Sequence, residues 1–199
     1  MTPTSRDLYV YRARFAEIRR RRTDVVLDLG FGIEYTAPVT LRVPGSLTVR
    51  PVKAWLAERD NISLLRLDVS NPRKLTGEVI DGAAPPYVYR ARDVRVIDGD
   101  TLEALLLPLD GVAIKAKLRL AGLNVAEKDT GRGASVAAHV RGWVDGQAEL
   151  LVETQKNHRE KYGRMLATLR SALTGVSLNE LLLEHGLAEP YDGGARAGA

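Results

Sequence analysis

The sequence contains no cysteine. That excludes disulfide staples, thiol catalysis and Cys-ligated zinc. Histidine is scarce: there are three, His139, His158 and His185, and no two stand at metal-ligand spacing. This argues against a His-rich metal site and against a Ser-His-Asp triad. No apolar run approaches the roughly 18–20 residues of a membrane span. The N-terminus (Met-Thr-Pro-Thr-Ser-Arg-Asp) has no charged segment leading into an apolar stretch. A secretory signal is therefore not expected, and the expectation is a cytoplasmic protein with no membrane partner.

What remains is a soluble globular composition: 199 residues, 45% hydrophobic and 27% charged, enough for one or two domains. The net charge of +4 is unevenly spread. Residues 1–86 hold 14 Lys/Arg against 10 Asp/Glu, whereas residues 87–199 hold 15 of each. Most of the excess lies in the run Arg19-Arg20-Arg21-Arg22. A moderate basic bias suits a nucleic-acid partner, although such a run is also an ordinary solvated turn.

An internal repeat divides the chain. Tyr9-Val10-Tyr11-Arg12-Ala13-Arg14 recurs as Tyr87-Val88-Tyr89-Arg90-Ala91-Arg92, and in the same register Thr23 falls opposite Thr101. With a one-residue gap, Arg42 falls opposite Arg119. The Gly/Pro cluster Gly82-Ala83-Ala84-Pro85-Pro86 suits a boundary. The expected domains are 1–84, 85–192 and a disordered tail over 193–199.

In the second copy, residues 89–98 read as a strand, Asp98-Gly99 as a hairpin turn, and 101–109 as the return strand. Residues 112–120 alternate, with Val112, Ile114, Ala116, Leu118 and Leu120 on one face and Lys115, Lys117 and Arg119 on the other. That pattern predicts a half-buried strand with a basic outer face. A helix is expected over about 133–145, strands over 148–155 and 165–171, and a last helix from Ser177, where Ser177 and Glu180 form a capping box. The first copy repeats this order, with strands near 8–18, 23–31, 35–43, 62–69 and 74–80 and a helix near 51–59. The expected fold is β-rich α+β: two tandem five-stranded Greek-key barrels of OB type, each with a helix after its third strand, the second with an extra C-terminal helix.

Several segments of the second copy could carry chemistry. Asp98-Gly99-Asp100-Thr101 places two carboxylates at a strand end, oxygen ligands that suit a hard cation but also an ordinary turn. Arg119 ends a strand. Glu127 lies in the following loop. Lys161-Tyr162-Gly163-Arg164 sets cations and an aromatic around a glycine. Singly, each has an ordinary surface reading. Their order is more specific. Val96-Ile97-Asp98-Gly99-Asp100-Thr101, Arg119-Leu120-Ala121-Gly122-Leu123-Asn124-Val125-Ala126-Glu127, Lys161-Tyr162-Gly163-Arg164, Leu178-Asn179-Glu180 and Gly186-Leu187-Ala188 together resemble the staphylococcal-nuclease-like (thermonuclease) family, over roughly residues 88–191.

That resemblance implies a phosphodiester hydrolase acting on DNA or RNA with little sequence preference. Arg119 and Arg164 match the family's catalytic arginines and Glu127 its catalytic carboxylate. Asp100 matches a Ca²⁺ ligand, and Lys161, Tyr162 and Tyr191 match substrate-phosphate contacts. The family's second carboxylate ligand is here Asn124, and Val125 stands where a backbone carbonyl is supplied. Losing one anionic ligand is expected to weaken Ca²⁺ binding or change the metal preference. The same departure favours the alternative, an inactive nuclease-like module that binds nucleic acid or a protein. In the first copy, Arg20 and Arg22 stand where Asp98 and Asp100 stand in the second, and no matching Glu is present. That copy is expected to be catalytically dead, with Arg19, Arg20, Arg21 and Arg22 available to nucleic-acid backbone.

Overall fold

The structure is a computed structural model that describes residues 8–18, 23–42, 54, 57, 58, 62–71, 75–80, 87–159 and 164–191. It is β-rich, with two closed five-stranded barrels and two helices among the described residues. The chain divides into two compact units: Asp7–Val88 with Pro108–Val112, and Tyr89–Leu107 with the chain from Ala113 onward. No helix among the described residues is long and apolar enough to cross a membrane.

The first barrel is built from β1 (Val10–Ile18), β2 (Thr23–Asp28), β3 (Glu34–Arg42), β4 (Ile62–Asp68) and β5 (Thr76–Ile80), in the order β1-β2-β3-β5-β4. Antiparallel pairing of β1 with β4 closes it, and β3 runs parallel to β5. Alternation fills the interior: Val25 and Leu27 from β2, Ala37 and Val39 from β3, Leu65 and Leu67 from β4 are all buried. β1 starts two residues later than the pattern suggests because Tyr9 takes a positive φ of 62°, which breaks the extended run. The expected helix at 51–59 lies almost wholly outside the described residues. So do Arg19–Arg22, the boundary cluster Gly82–Pro86 and the tail 193–199.

The second barrel uses β6 (Tyr87–Val96), β7 (Thr101–Leu109), β8 (Val112–Leu120), β10 (Leu150–Arg159) and β11 (Met165–Ser171), in the order β10-β11-β8-β7-β6. Its third and fifth strands, β8 and β11, again run parallel. Leu102, Leu106, Leu118, Leu120, Val152 and Leu169 are essentially inaccessible in its core, each contributing about 1.5–3 kcal/mol by burial. The repeat extends to an irregularity. Register shifts between Phe15 and Glu17 in β1 and between Arg92 and Arg95 in β6, and Glu17 and Arg95 keep the same spacing as Tyr9 and Tyr87.

Helix α1 (Gly131–Asp145) follows β8 and the short β9 (Leu123–Asn124). It buries Val136, Ala137, Val140 and Val144, a stripe at helical spacing. The helix begins two residues before the expected start, so Gly131 and Arg132 also belong to its first turn. Thr130 is its N-cap and accepts from the Gly133 amide at 3.0 Å. Helix α2 (Leu178–Glu184) has Ser177 as N-cap, accepting from the Glu180 amide at 3.3 Å. It ends at Gly186, φ 64°. There the Leu187 amide reaches Leu182 O at 2.9 Å and the Gly186 amide reaches Leu183 O at 3.1 Å, the paired bonds of a Schellman ending. A two-residue strand, β12 (Glu189–Pro190), then pairs antiparallel with β9, Glu189 opposite Asn124. The sequence pattern gave no sign of this small sheet.

Candidate functional site

The site lies where the β6–β7 turn meets the end of β8. Ile97 and Asp98 both donate backbone N–H bonds to Thr101 O, at 2.9 and 3.2 Å, which folds residues 98–100 into a tight turn. The Asp98 carboxylate accepts from the Asp100 amide at 3.2 Å. Asp100 O accepts from the Leu120 amide at 2.8 Å, so the turn is fastened to β8 beside Arg119. Gly99 makes the approach possible. A Cβ there would lie 2.9 Å from Val136 Cγ1 of α1 and 3.0 Å from Val125 Cγ2, closer than side chains tolerate. The missing side chain thus lets the Asp100 turn press against both α1 and the Asn124–Val125 segment.

Asp100 and Arg119 form a buried ion pair, Arg119 Nη1 to Asp100 Oδ2 at 2.6 Å, with side-chain exposures of 7% and 11%. The alternation of β8 predicts a solvated cationic face at this position, and for Arg119 that expectation fails. Lys115 and Lys117 on the same face are exposed, but Arg119 at the strand end is covered. Its second terminal nitrogen, Nη2, donates to Asn124 Oδ1 at 3.0 Å. The Tyr191 ring lies over the guanidinium with its centroid 5.9 Å from Cζ, within cation–π range. Tyr191 is held by its own amide, which donates to Gly122 O at 3.1 Å, just beyond the β9–β12 pair.

Thr101 carries the arrangement on to Arg164. Its hydroxyl donates to Asp100 Oδ1 at 2.9 Å and accepts from Arg164 Nη1 at 3.1 Å. A guanidinium can only donate, so the hydroxyl proton must point at Asp100. The result is a chain that converges on Asp100: Arg164 donates to Thr101 and Thr101 to Asp100, while Arg119 donates to Asp100 from the other side. Burial pushes the Asp100 carboxyl above the ordinary range, opposed by Arg119 and the Thr101 hydrogen bond, with Asp98 adding to the rise. Thr101 is 2% exposed. Its part in the site was missed in the sequence because the hydroxyl's second partner lies 63 residues away.

Glu127 is exposed on the segment between β9 and α1. Its backbone is firmly placed: its carbonyl accepts from Thr130 N at 3.0 Å and from Thr130 Oγ1 at 2.7 Å. Gly133 allows this, since a Cβ there would stand 2.0 Å from Glu127 O. Asn179, buried at the start of α2, braces the other side. Its Nδ2 donates to Ala121 O at 2.9 Å and Ala167 O at 3.1 Å, and its Oδ1 accepts from the Leu169 amide at 3.1 Å. One side chain thereby ties the turn after β8 to β11. Asn124 and Val125 also line a cavity of about 100 Å³ with Arg132 and Glu189.

The structure therefore gathers Asp100, Thr101, Arg119, Asn124 and Arg164 into one bonded cluster, with the Tyr191 ring over Arg119 and Val125 packed beside it. It places Glu127 on the adjoining segment, three residues beyond Asn124. Lys161 and Tyr162 lie outside the described residues.

No protein-family model matches the chain, and no curated protein matches it.

The expected Ca²⁺ would take Asp100, Asn124 and the Val125 carbonyl. The donor chemistry fits such a cation poorly as arranged. Ca²⁺ asks for six to eight oxygens. Asp100 Oδ2 and Asn124 Oδ1 are both bonded to the same guanidinium, and Asp100 Oδ1 is bonded to Thr101. Among the described residues, no group of three or more His, Asp or Glu is placed to hold a metal.

Proposed function

We propose that the second unit is a nuclease-like domain of the staphylococcal-nuclease type, on an OB-type barrel, that binds and hydrolyses phosphodiesters of DNA or RNA with little sequence preference. The observation that carries the reading is the linkage of two arginines, Arg119 and Arg164, through Asp100 and Thr101. A planar guanidinium fork matches phosphate oxygens, and two of them offset the charge that builds on phosphorus as a nucleophile adds. Glu127, exposed on a firmly placed segment, is the general base that takes a proton from the attacking water. Such a base is worth roughly 10²–10⁴ in rate. Lys161, Tyr162 and Tyr191 contact the substrate in this reading.

The first unit, with its matching strand order and its matching irregularity in the first strand, is the degenerate copy. It has no catalytic role, and Arg19–Arg22 hold nucleic-acid backbone without reading sequence.

A second reading, a binding module that no longer cleaves, is favoured by one observation: Asn124 replaces a carboxylate and spends its oxygen on Arg119. Digestion of single-stranded DNA and RNA by the purified protein separates the two, in Ca²⁺, Mg²⁺ and EDTA, beside a Glu127→Gln control. Cleavage that drops at least a hundredfold in the control is the expected result. Intact substrate in every buffer, with binding retained, would establish the module.

A further inference from the structure

We infer that Arg119 holds the place of the divalent cation in the second unit, so that the site takes a phosphodiester without a resident metal. The inference rests on the phosphodiester reading above, but the measurement that decides it does not.

The two side chains expected to ligate a cation converge on one positive group already in the chain. Asp100 Oδ2 is 2.6 Å from Arg119 Nη1, and Asn124 Oδ1 is 3.0 Å from Arg119 Nη2. The two oxygens sit about the guanidinium as ligands sit about an ion. The remaining carboxylate oxygen of Asp100 is bonded to Thr101. A cation entering here would have to break the Arg119–Asp100 pair, whose side chains are only 11% and 7% exposed, and breaking a buried pair is strongly unfavourable.

This arrangement also explains Asn124. A metal ion of charge +2 is best met by two carboxylates, whereas a guanidinium of charge +1 needs only one, and Asp100 is such a partner. The second acceptor should then be neutral, and the amide oxygen of Asn124 is. A carboxylate at 124 would over-neutralise Arg119 and leave the pocket less favourable to phosphate. Arg164, joined through Thr101, brings a second guanidinium to this cluster without any added ion.

The test is calorimetric titration of Ca²⁺ into the full-length protein, with Mg²⁺ in parallel, for wild type and Arg119→Gln, folding being checked by circular dichroism. Wild type should show no saturable heat. Arg119→Gln, which frees Asp100 and Asn124, should bind Ca²⁺ at least tenfold more tightly, and adding Asp100→Asn should abolish the gain. If Arg119→Gln does not fold, Arg119→Met, which is unbranched and carries no charge or donor, takes its place with the same expectation. Tight saturable binding by wild type that disappears in Asp100→Asn would overturn the inference. So would the lack of any Ca²⁺ binding in the Arg119 variants, since Asp100 and Asn124 would then not be a cation-ligating pair. A fluorescent single-stranded oligonucleotide, titrated in EDTA and in Ca²⁺, should bind equally in both. Binding that requires Ca²⁺ would count against the inference. Binding in neither buffer would overturn the phosphodiester reading instead, with the calcium titration still deciding the role of Arg119.

Discussion

Arg119 bonds Asp100 with one terminal nitrogen and Asn124 with the other, so a single guanidinium joins the end of β8 to the turn before β7 and to β9. The first unit has an arginine at the corresponding strand end, Arg42, and there it is exposed. The same residue at the same register position is a surface group in one barrel and a buried node in the other. The difference lies in what surrounds it: an aspartate at position 100, an asparagine at 124 and the Tyr191 ring.

Asp100 gives a pH dependence with a definite sign. Burial, the largest cause, raises its carboxyl above the ordinary 3.8, against the pull of Arg119. The folded chain then holds that proton more tightly than the unfolded chain. Its contribution to stability is full below the unfolded value and is lost as pH rises through the folded value. Urea unfolding of wild type and Asp100→Asn from about pH 3 to about pH 6 should show the wild type losing ground relative to the variant as pH rises.

Thr101 should behave as a positioning residue. Thr101→Val keeps the shape but removes the hydroxyl between Asp100 and Arg164, at a cost of about 1–3 kcal/mol for the polar groups left without it. On the proposed function it should also lower kcat about tenfold, the size of one lost bond of this kind. Thr101→Ser should restore most of both. Equal loss of activity in Ser and Val would show that the hydroxyl is not what matters.

Two glycines in one helix should respond in opposite directions. Gly133→Ala drives a Cβ into the Glu127 carbonyl and should destabilise by about 3 kcal/mol, with a fall in activity as the Glu127 segment moves. Gly142→Ala meets no atom within 4 Å and should stabilise by about 0.5–1 kcal/mol through helix propensity. Denaturant midpoints for the pair check both signs.

Asn179→Ala leaves two carbonyls and one amide without the side chain that now serves them. The expected loss is about 3 kcal/mol. Asn179→Asp keeps the acceptor for the Leu169 amide but turns a carboxylate towards two carbonyls, and should be at least as damaging. An Asp variant as stable as wild type would show that the Nδ2 bonds contribute little.

Much of the second unit can be read from its sequence because its strands alternate. β8 falls over 112–120, where period-two patterning places it, β7 falls over 101–109 after the expected Asp98-Gly99 turn, β11 falls over 165–171 as expected, and the Ser177 cap marks the start of α2. Three features were not legible, each for a physical reason. β9 and β12 are two residues long, too short to show any period. The burial of Arg119 contradicts the alternation of its own strand because the cover comes from elsewhere in the sequence. The role of Thr101 depends on a partner at 164 that no local pattern announces. The repeat led correctly to two barrels of the same strand order. It did not show that Arg42 and Arg119 would differ in burial, since that is decided by residues outside the repeated hexapeptide.

The β9–β12 pair has a consequence for the order of folding. Leu123 and Asn124 find their strand partners in Pro190 and Glu189, at the far end of the second unit, and closing so long a loop is entropically slow. Hairpins such as β6–β7 close over short loops and have no such delay. An intermediate with only such hairpins formed would therefore carry an unassembled site, its Arg119 still uncovered by Tyr191. The Asp100–Arg119 cluster should then be completed late in folding and be the first part to come apart under mild denaturant.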